Sequence, residues 1–198
     1  MQAAAQYDPA FNHYWALQMM GYTHAPQTMV VTADLPLWMI GPAHGVGAGF
    51  VNDKLGLFEH KKFYIEYAYH QKLWGGRLSG GVRGALLAES FDGTGVDAID
   101  SGDPAFPTSE VNGTAFDVEA GLRYDGKSWY VGVSGLHLLA PTVKLGDSKA
   151  NEFDVPRTYY LTGGYNIRLK NPLLKVQTSA ILRTDLADWR GDVTARLA

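Results

Sequence analysis

The chain has 198 residues, a net charge of −3, no cysteine, 23 glycines and 12% aromatic residues. That length suits one domain or one barrel, and the charge gives no reason to expect a nucleic-acid partner. Without cysteine there is no disulfide framework, thiol chemistry or thiolate metal site, and without a run of about 18 apolar residues there is no transmembrane helix.

From the N-terminus, Met1 to Gln6 has small residues like the tail of a cleavage site, but no charged start and no apolar stretch. A signal peptide is therefore expected to have been removed. Residues 11–22 and 28–38 contain no helical period and are read as strands. Val46, Ala48 and Phe50 then oppose Gly45, Gly47 and Gly49. No helix follows this Gly-rich stretch, so it predicts strand glycines against crowded neighbours rather than a phosphate loop. Phe63, Ile65, Tyr67 and Tyr69 oppose Tyr64, Glu66, Ala68, His70 and Lys72. Leu78, Val82 and Leu86 oppose Arg77, Ser79, Arg83 and Glu89. Phe116, Val118, Ala120, Leu122 and Tyr124 oppose Asp117, Glu119, Gly121, Arg123 and Asp125. Trp129, Val131 and Val133 oppose Tyr130, Gly132 and Ser134. Residues 157–185 read as a long-armed hairpin broken at Asn171-Pro172, with Tyr159, Leu161, Tyr165, Ile167 and Val176 opposing Tyr160, Thr162, Asn166, Arg168 and Lys175. Trp189, Val193 and Leu197 complete the series. Period 2 sustained over ten or so residues means a strand with two unlike faces. About ten strands and no helix are expected.

The connections carry a second signal. Residues 40–44, 73–76, 125–128 and 170–172 are short and rich in Gly, Pro and Asn, whereas 52–61, 90–114 and 139–157 are longer. Their alternation predicts an up-and-down barrel with tight turns on one rim and long loops on the other, the asymmetry of outer-membrane barrels. Arms of 9–13 residues are long enough to cross a bilayer when tilted. Trp38, Phe63, Trp74, Trp129, Tyr159 and Trp189 stand near strand ends, where rings settle at the headgroup region. Charged side chains on one parity would be costly in a small dry core and are tolerated in a polar lumen. The fold class predicted is thus all-β, a single antiparallel up-and-down transmembrane β-barrel over residues 1–198, with 1–10 as a periplasmic segment. A half-buried hairpin of a soluble sandwich or lipocalin is the competing reading of any one hairpin.

Chemistry leaves few marks. His13, His24, His44, His60, His70 and His137 show no HxH or HExxH spacing, and there is no GxSxG. No catalytic, cofactor-binding or metal site is expected, and hence no cofactor. The acidic, Gly-rich stretch Asp92 to Asp103 misses the EF-hand pattern and is read as a solvated outer loop.

Several phrases occur in a telling order: Ala25-Pro26-Gln27-Thr28 with Ala33-Asp34-Leu35-Pro36-Leu37; Gly45 to Gly49 with Asn52-Asp53-Lys54; Tyr67-Ala68-Tyr69 with Leu78-Ser79-Gly80-Gly81; and Gly132 to Leu138 with Pro141, Arg157, Tyr159-Tyr160 and Gly163-Gly164-Tyr165. Together with Gln6 to Pro9 and His13-Tyr14, they resemble the PorP/SprF family, outer-membrane proteins of the type IX secretion system of Bacteroidetes. The resemblance departs in two places. The segment between Tyr14-Trp15 and Tyr22 is shorter, and family members run on past the strand at 189–198. An incomplete barrel with C-terminal strands missing is therefore expected.

The resemblance implies a non-enzymatic outer-membrane role. It would assist export or surface attachment of a secreted adhesin, or of its C-terminal region, alongside other type IX components and outer-membrane lipid. The outer loops are the expected docking places, with Asp97, Asp100, Asp103 and Phe106 in the first and Lys144, Asp147 and Phe153 in the second. The alternative is a passive channel or transporter for small solutes or lipids, its lumen lined by Arg77, Arg83, Glu66 and Lys72. A barrel hydrolase would need a Ser or Asp beside a His on adjacent strands.

Overall fold

The computed structural model describes residues 10–17, 25–37, 41, 43–95, 109–145, 152–168 and 175–197. Its strands are β1 (Ala10–Leu17), β2 (Gln27–Pro36), β3 (His44–Leu55), β4 (Phe58–Leu73), β5 (Gly76–Asp92), β6 (Glu110–Asp125), β7 (Trp129–Leu136), β8 (Thr142–Lys144), β9 (Glu152–Asp154), β10 (Thr158–Arg168), β11 (Lys175–Thr184) and β12 (Trp189–Leu197). Ten of them form one sheet in the order β1-β2-β3-β4-β5-β6-β7-β10-β11-β12, and β8 pairs with β9 separately. Every pairing is antiparallel. This is the predicted up-and-down meander. Among the described residues β1 and β12 are not paired with each other, so the wall is open.

Burial runs opposite to that of a soluble protein. Ile65 is 72% exposed, and Phe63, Phe116, Leu122, Val133, Leu161, Ile167 and Val193 are exposed with it. Glu119 is 1% exposed and Asp117 is fully buried. Apolar residues therefore look outward and charged ones inward along the same strands. Only a hydrocarbon exterior makes this arrangement favourable, because each exposed apolar side chain costs about 25 cal/mol per Å² in water. It is the wall of a transmembrane β-barrel, and the soluble-sandwich alternative is set aside.

The height of the wall fits. On β4 the outward side chains between Lys61 and Gln71 are Phe63, Ile65, Tyr67 and Tyr69. At the tilt near 40° typical of such barrels, nine residues at about 3.3 Å each would rise roughly 23 Å, close to the usual ~25 Å apolar band. Rings mark its edges. Phe50 and Phe63 lie 4.5 Å apart between centroids at one level. At the other, Tyr124 and Trp129 pack at 5.2 Å, near the exposed Trp74.

β4, β5 and β6 have 16, 17 and 16 residues, more than the bilayer needs. Beyond the Phe50–Phe63 level the pattern inverts. Outward positions become Lys54, Glu59 and Lys61, joined by ion pairs of 3.2 Å for Lys54–Glu59 and 3.0 Å for Lys61–Glu59. The inward positions are now Phe58 and Phe91, with centroids 4.8 Å apart. Here the sheet stands in water and behaves as ordinary amphipathic β-structure.

This inversion corrects one expectation. Residues 52–61 are a hairpin with a two-residue turn, Gly56-Leu57, not a long loop. Gly56 has φ of 64°, as the first position of a type II′ turn requires. The connection between β11 and β12, residues 185–188, is also short and on the same rim. Strict alternation of loop lengths therefore fails, although the two longest connections, 93–109 and 137–157, do share that rim. The opposite rim has the predicted tight turns at Trp74-Gly75 and 126–128. Trp74 and Gly75 have φ of 49° and 76°, the type I′ signature, and Tyr124 Oη donates to the Leu73 and Trp74 carbonyls.

Candidate functional site

The inner face of β2–β6 carries a ladder of charged groups set by register. Cross-strand pairing places Asp34 beside Gly47, Gly47 beside Glu66, Glu66 beside Arg83, and Arg83 beside Glu119. Arg83 is the hub. Its Nε and Nη2 donate to Glu66 Oε2 at 2.9 and 2.6 Å, and its Nη1 donates to Glu119 Oε2 at 3.1 Å. Lys62 Nζ donates to Glu119 Oε1. The guanidinium lies 4.0 Å from the centre of the Tyr64 ring, in cation–π contact. Four donors from two cations thus bind two carboxylates that have almost no access to solvent.

The glycines of β3 make room for this ladder. A Cβ on Gly47 would lie 2.7 Å from Asp34 Oδ1 and 3.0 Å from Glu66 Cγ, and one on Gly49 would collide with the Tyr64 ring. The crowding expected at these glycines is present, and its cause is the polar ladder rather than a ligand phosphate.

Toward the rim of the long connections the inner wall is capped. His137 and Ala140 both take positive φ, 54° and 47°, so the chain bends sharply after β7. His137 Nδ1 sits 2.7 Å from Asp117 Oδ2, and the Leu138 amide donates to the Val118 carbonyl. The β8–β9 hairpin then lies on the inner side of β6. A Cβ on Gly113 would collide with the Lys144 carbonyl and meet the Val143 side chain at 2.9 Å. Val143 is 0% exposed, and Ala85 and Leu87, also inward, are buried. Within the expected loop 139–157, the described residues thus include a short strand pair, with Val143 packed against the wall.

Toward the other rim the inner face opens into a hollow of about 510 Å³. Its floor is made of small residues, including Ser79, Gly81, Gly121, Gly132, Ser134 and Thr162. Arg77 and Arg123 border it and share Asp125, at 3.7 and 2.8 Å. Arg123 also stacks 4.0 Å over Tyr130.

Of the predicted docking residues, Lys144 and Phe153 come together on the β8–β9 hairpin. Val143 pairs with Phe153 and Lys144 with Glu152, the latter with an ion pair of 3.4 Å. Phe153 is 50% exposed. Asp97, Asp100, Asp103, Phe106 and Asp147 lie outside the described residues. The predicted lumen residues Arg77, Arg83, Glu66 and Lys72 share the inward face by register. The sequence reading did not single out Asp117, Glu119, Lys62 and His137 as a group. The one available signal was Asp117 and Glu119 two apart on the wet parity of β6.

No curated protein matches the chain. The family described as type IX secretion system membrane protein PorP/SprF matches residues 3–197. An apolar-out, charged-in antiparallel meander and a match over nearly the whole sequence lead to one conclusion: the chain belongs to the PorP/SprF family of type IX secretion system membrane proteins.

Proposed function

We propose that the protein acts in the outer membrane as a non-enzymatic component of type IX secretion, assisting export or surface attachment of a secreted adhesin-like protein. The observation that carries this reading is the family membership over residues 3–197. The rim architecture supports it. The β8–β9 hairpin presents an exposed ring, Phe153, beside the Lys144–Glu152 pair, on the rim that carries the longest connections. An exposed aromatic flanked by charge is the composition of a protein-binding patch. The adhesin's C-terminal region is the partner proposed for it, with the acidic stretch Asp97, Asp100 and Asp103 as a second contact.

The test is affinity purification of the tagged protein from detergent-solubilised membranes, read by mass spectrometry. A large secreted adhesin should co-purify, and Phe153→Ala with Lys144→Ala should lower its recovery several-fold. Adhesin display that is unchanged after deletion of the gene would sink the reading. Stepwise conductance in planar bilayers, with display unaffected, would instead favour a passive channel through the hollow bordered by Arg77 and Arg123.

A further inference from the structure

We propose that Asp117, Glu119 and His137 form a binding site for a divalent cation of the zinc class, pinning the start of the 137–157 segment to the inner wall. Among the described residues these three bring a carboxylate oxygen or imidazole nitrogen each to within 4.8 Å of one another. The sheet produces this convergence. Residues 117 and 119 are two apart on one strand and so share a face, and His137 follows directly from the neighbouring strand.

A second observation points to a ligand. Asp117 is fully buried, and among the described residues its Oδ1 has no hydrogen-bond partner. A buried carboxylate oxygen left unpaired is costly, so such an atom calls for a cation or a donor. Fixed charges do not meet this need. Arg83 and Lys62 are committed to Glu66 and Glu119, and among the described residues Asp117 is paired only with His137. A third observation concerns the backbone. His137 is held at φ of 54°, an uncommon region for a residue with a side chain, and this places its Nδ1 2.7 Å from Asp117 Oδ2. Two ligand atoms on a tetrahedral ion with bonds near 2.0 Å stand about 3.3 Å apart, so a small opening admits the ion.

One imidazole and two carboxylates suit a borderline ion of the zinc type better than Mg²⁺ or Ca²⁺, which favour oxygen alone. Glu119 Oε1 faces Lys62 in the present arrangement. On binding, the ion displaces that ammonium, and the lysine turns to the wet interior. Lys62 is thus a built-in competitor for the site.

The experiment is equilibrium dialysis of the full chain in detergent against zinc chloride, with folding checked by heat-modifiable migration. One tightly bound zinc per chain is expected. His137→Gln and Asp117→Asn should each weaken binding tenfold or more, His44→Gln should leave it unchanged, and Lys62→Gln should tighten it several-fold. His137 is partly accessible, so its variant is expected to fold. Cobalt substitution gives an independent reading, a visible absorption band lost in His137→Gln. No retained zinc in folded protein would overturn the proposal and leave Asp117 and His137 as a simple ion pair. Equal zinc binding by wild type, His137→Gln and Asp117→Asn would also overturn it.

Discussion

Arg83 and Arg190 stand on the same inner face of the same sheet, and their surroundings are opposite. Arg83, on β5, is mostly buried, stacked on Tyr64 and bound to two carboxylates. Arg190, on β12, is exposed and pairs in register with another arginine, Arg183, whose guanidinium lies 5.8 Å from the Tyr160 ring. Both are charged residues at the wet parity of a strand. The difference comes from what neighbours them. Around Arg83 the strands are long, the β3 glycines let side chains close in, and the lining from 137 onward covers the rim side. At β12, the last strand of the open wall among the described residues, nothing does so. An inward charge is therefore a structural element in one place and a solvated group in the other.

Removing the hub breaks the comparison at its strongest point. Arg83→Ala leaves Glu66 and Glu119 buried with Lys62 as the only remaining cation paired to them among the described residues. A loss of about 3–5 kcal/mol is expected, because an uncompensated buried charge is what such a substitution creates. Urea unfolding in lipid vesicles, followed by tryptophan fluorescence, measures it.

Gly49→Val tests the room that the ladder needs. The added side chain enters the space of the Tyr64 ring, displacing the ring from Arg83. Overpacking of this kind costs about 1–3 kcal/mol, read from the same unfolding midpoints. A neutral result would mean that the stack on Arg83 contributes nothing.

Arg190→Gln sharpens the other side. Its effect should fall within about 0.5 kcal/mol, with stabilisation the favoured sign, since like charges in register repel across strands. A loss as large as that for Arg83 would show that β12 is covered in the membrane and would remove the contrast.

Much of this is legible in the sequence. Phe63, Ile65, Leu161 and Ile167 belong to the outward face, and Glu66, Arg83 and Glu119 to the inward one, by parity alone. The tight turns at Trp74-Gly75 and 126–128 were readable from their Gly content. The misreading of 52–61 has a physical cause. Lys54, Glu59 and Lys61 take the outward positions once the strands leave the bilayer, so the two faces exchange character and the alternation reads as a loop. The β8–β9 hairpin was missed for a related reason, since three-residue strands carry too little periodicity to register.

By itself the sequence determined which side chains share a face of each long strand, because the pleat alternates and needs only local order. The tertiary structure alone decided which interior charges meet. Lys62 reaches Glu119 across 57 positions, and His137 reaches Asp117 across 20. Those contacts depend on strand register and on the sharp bend after β7, and both are settled by packing between segments distant in the chain.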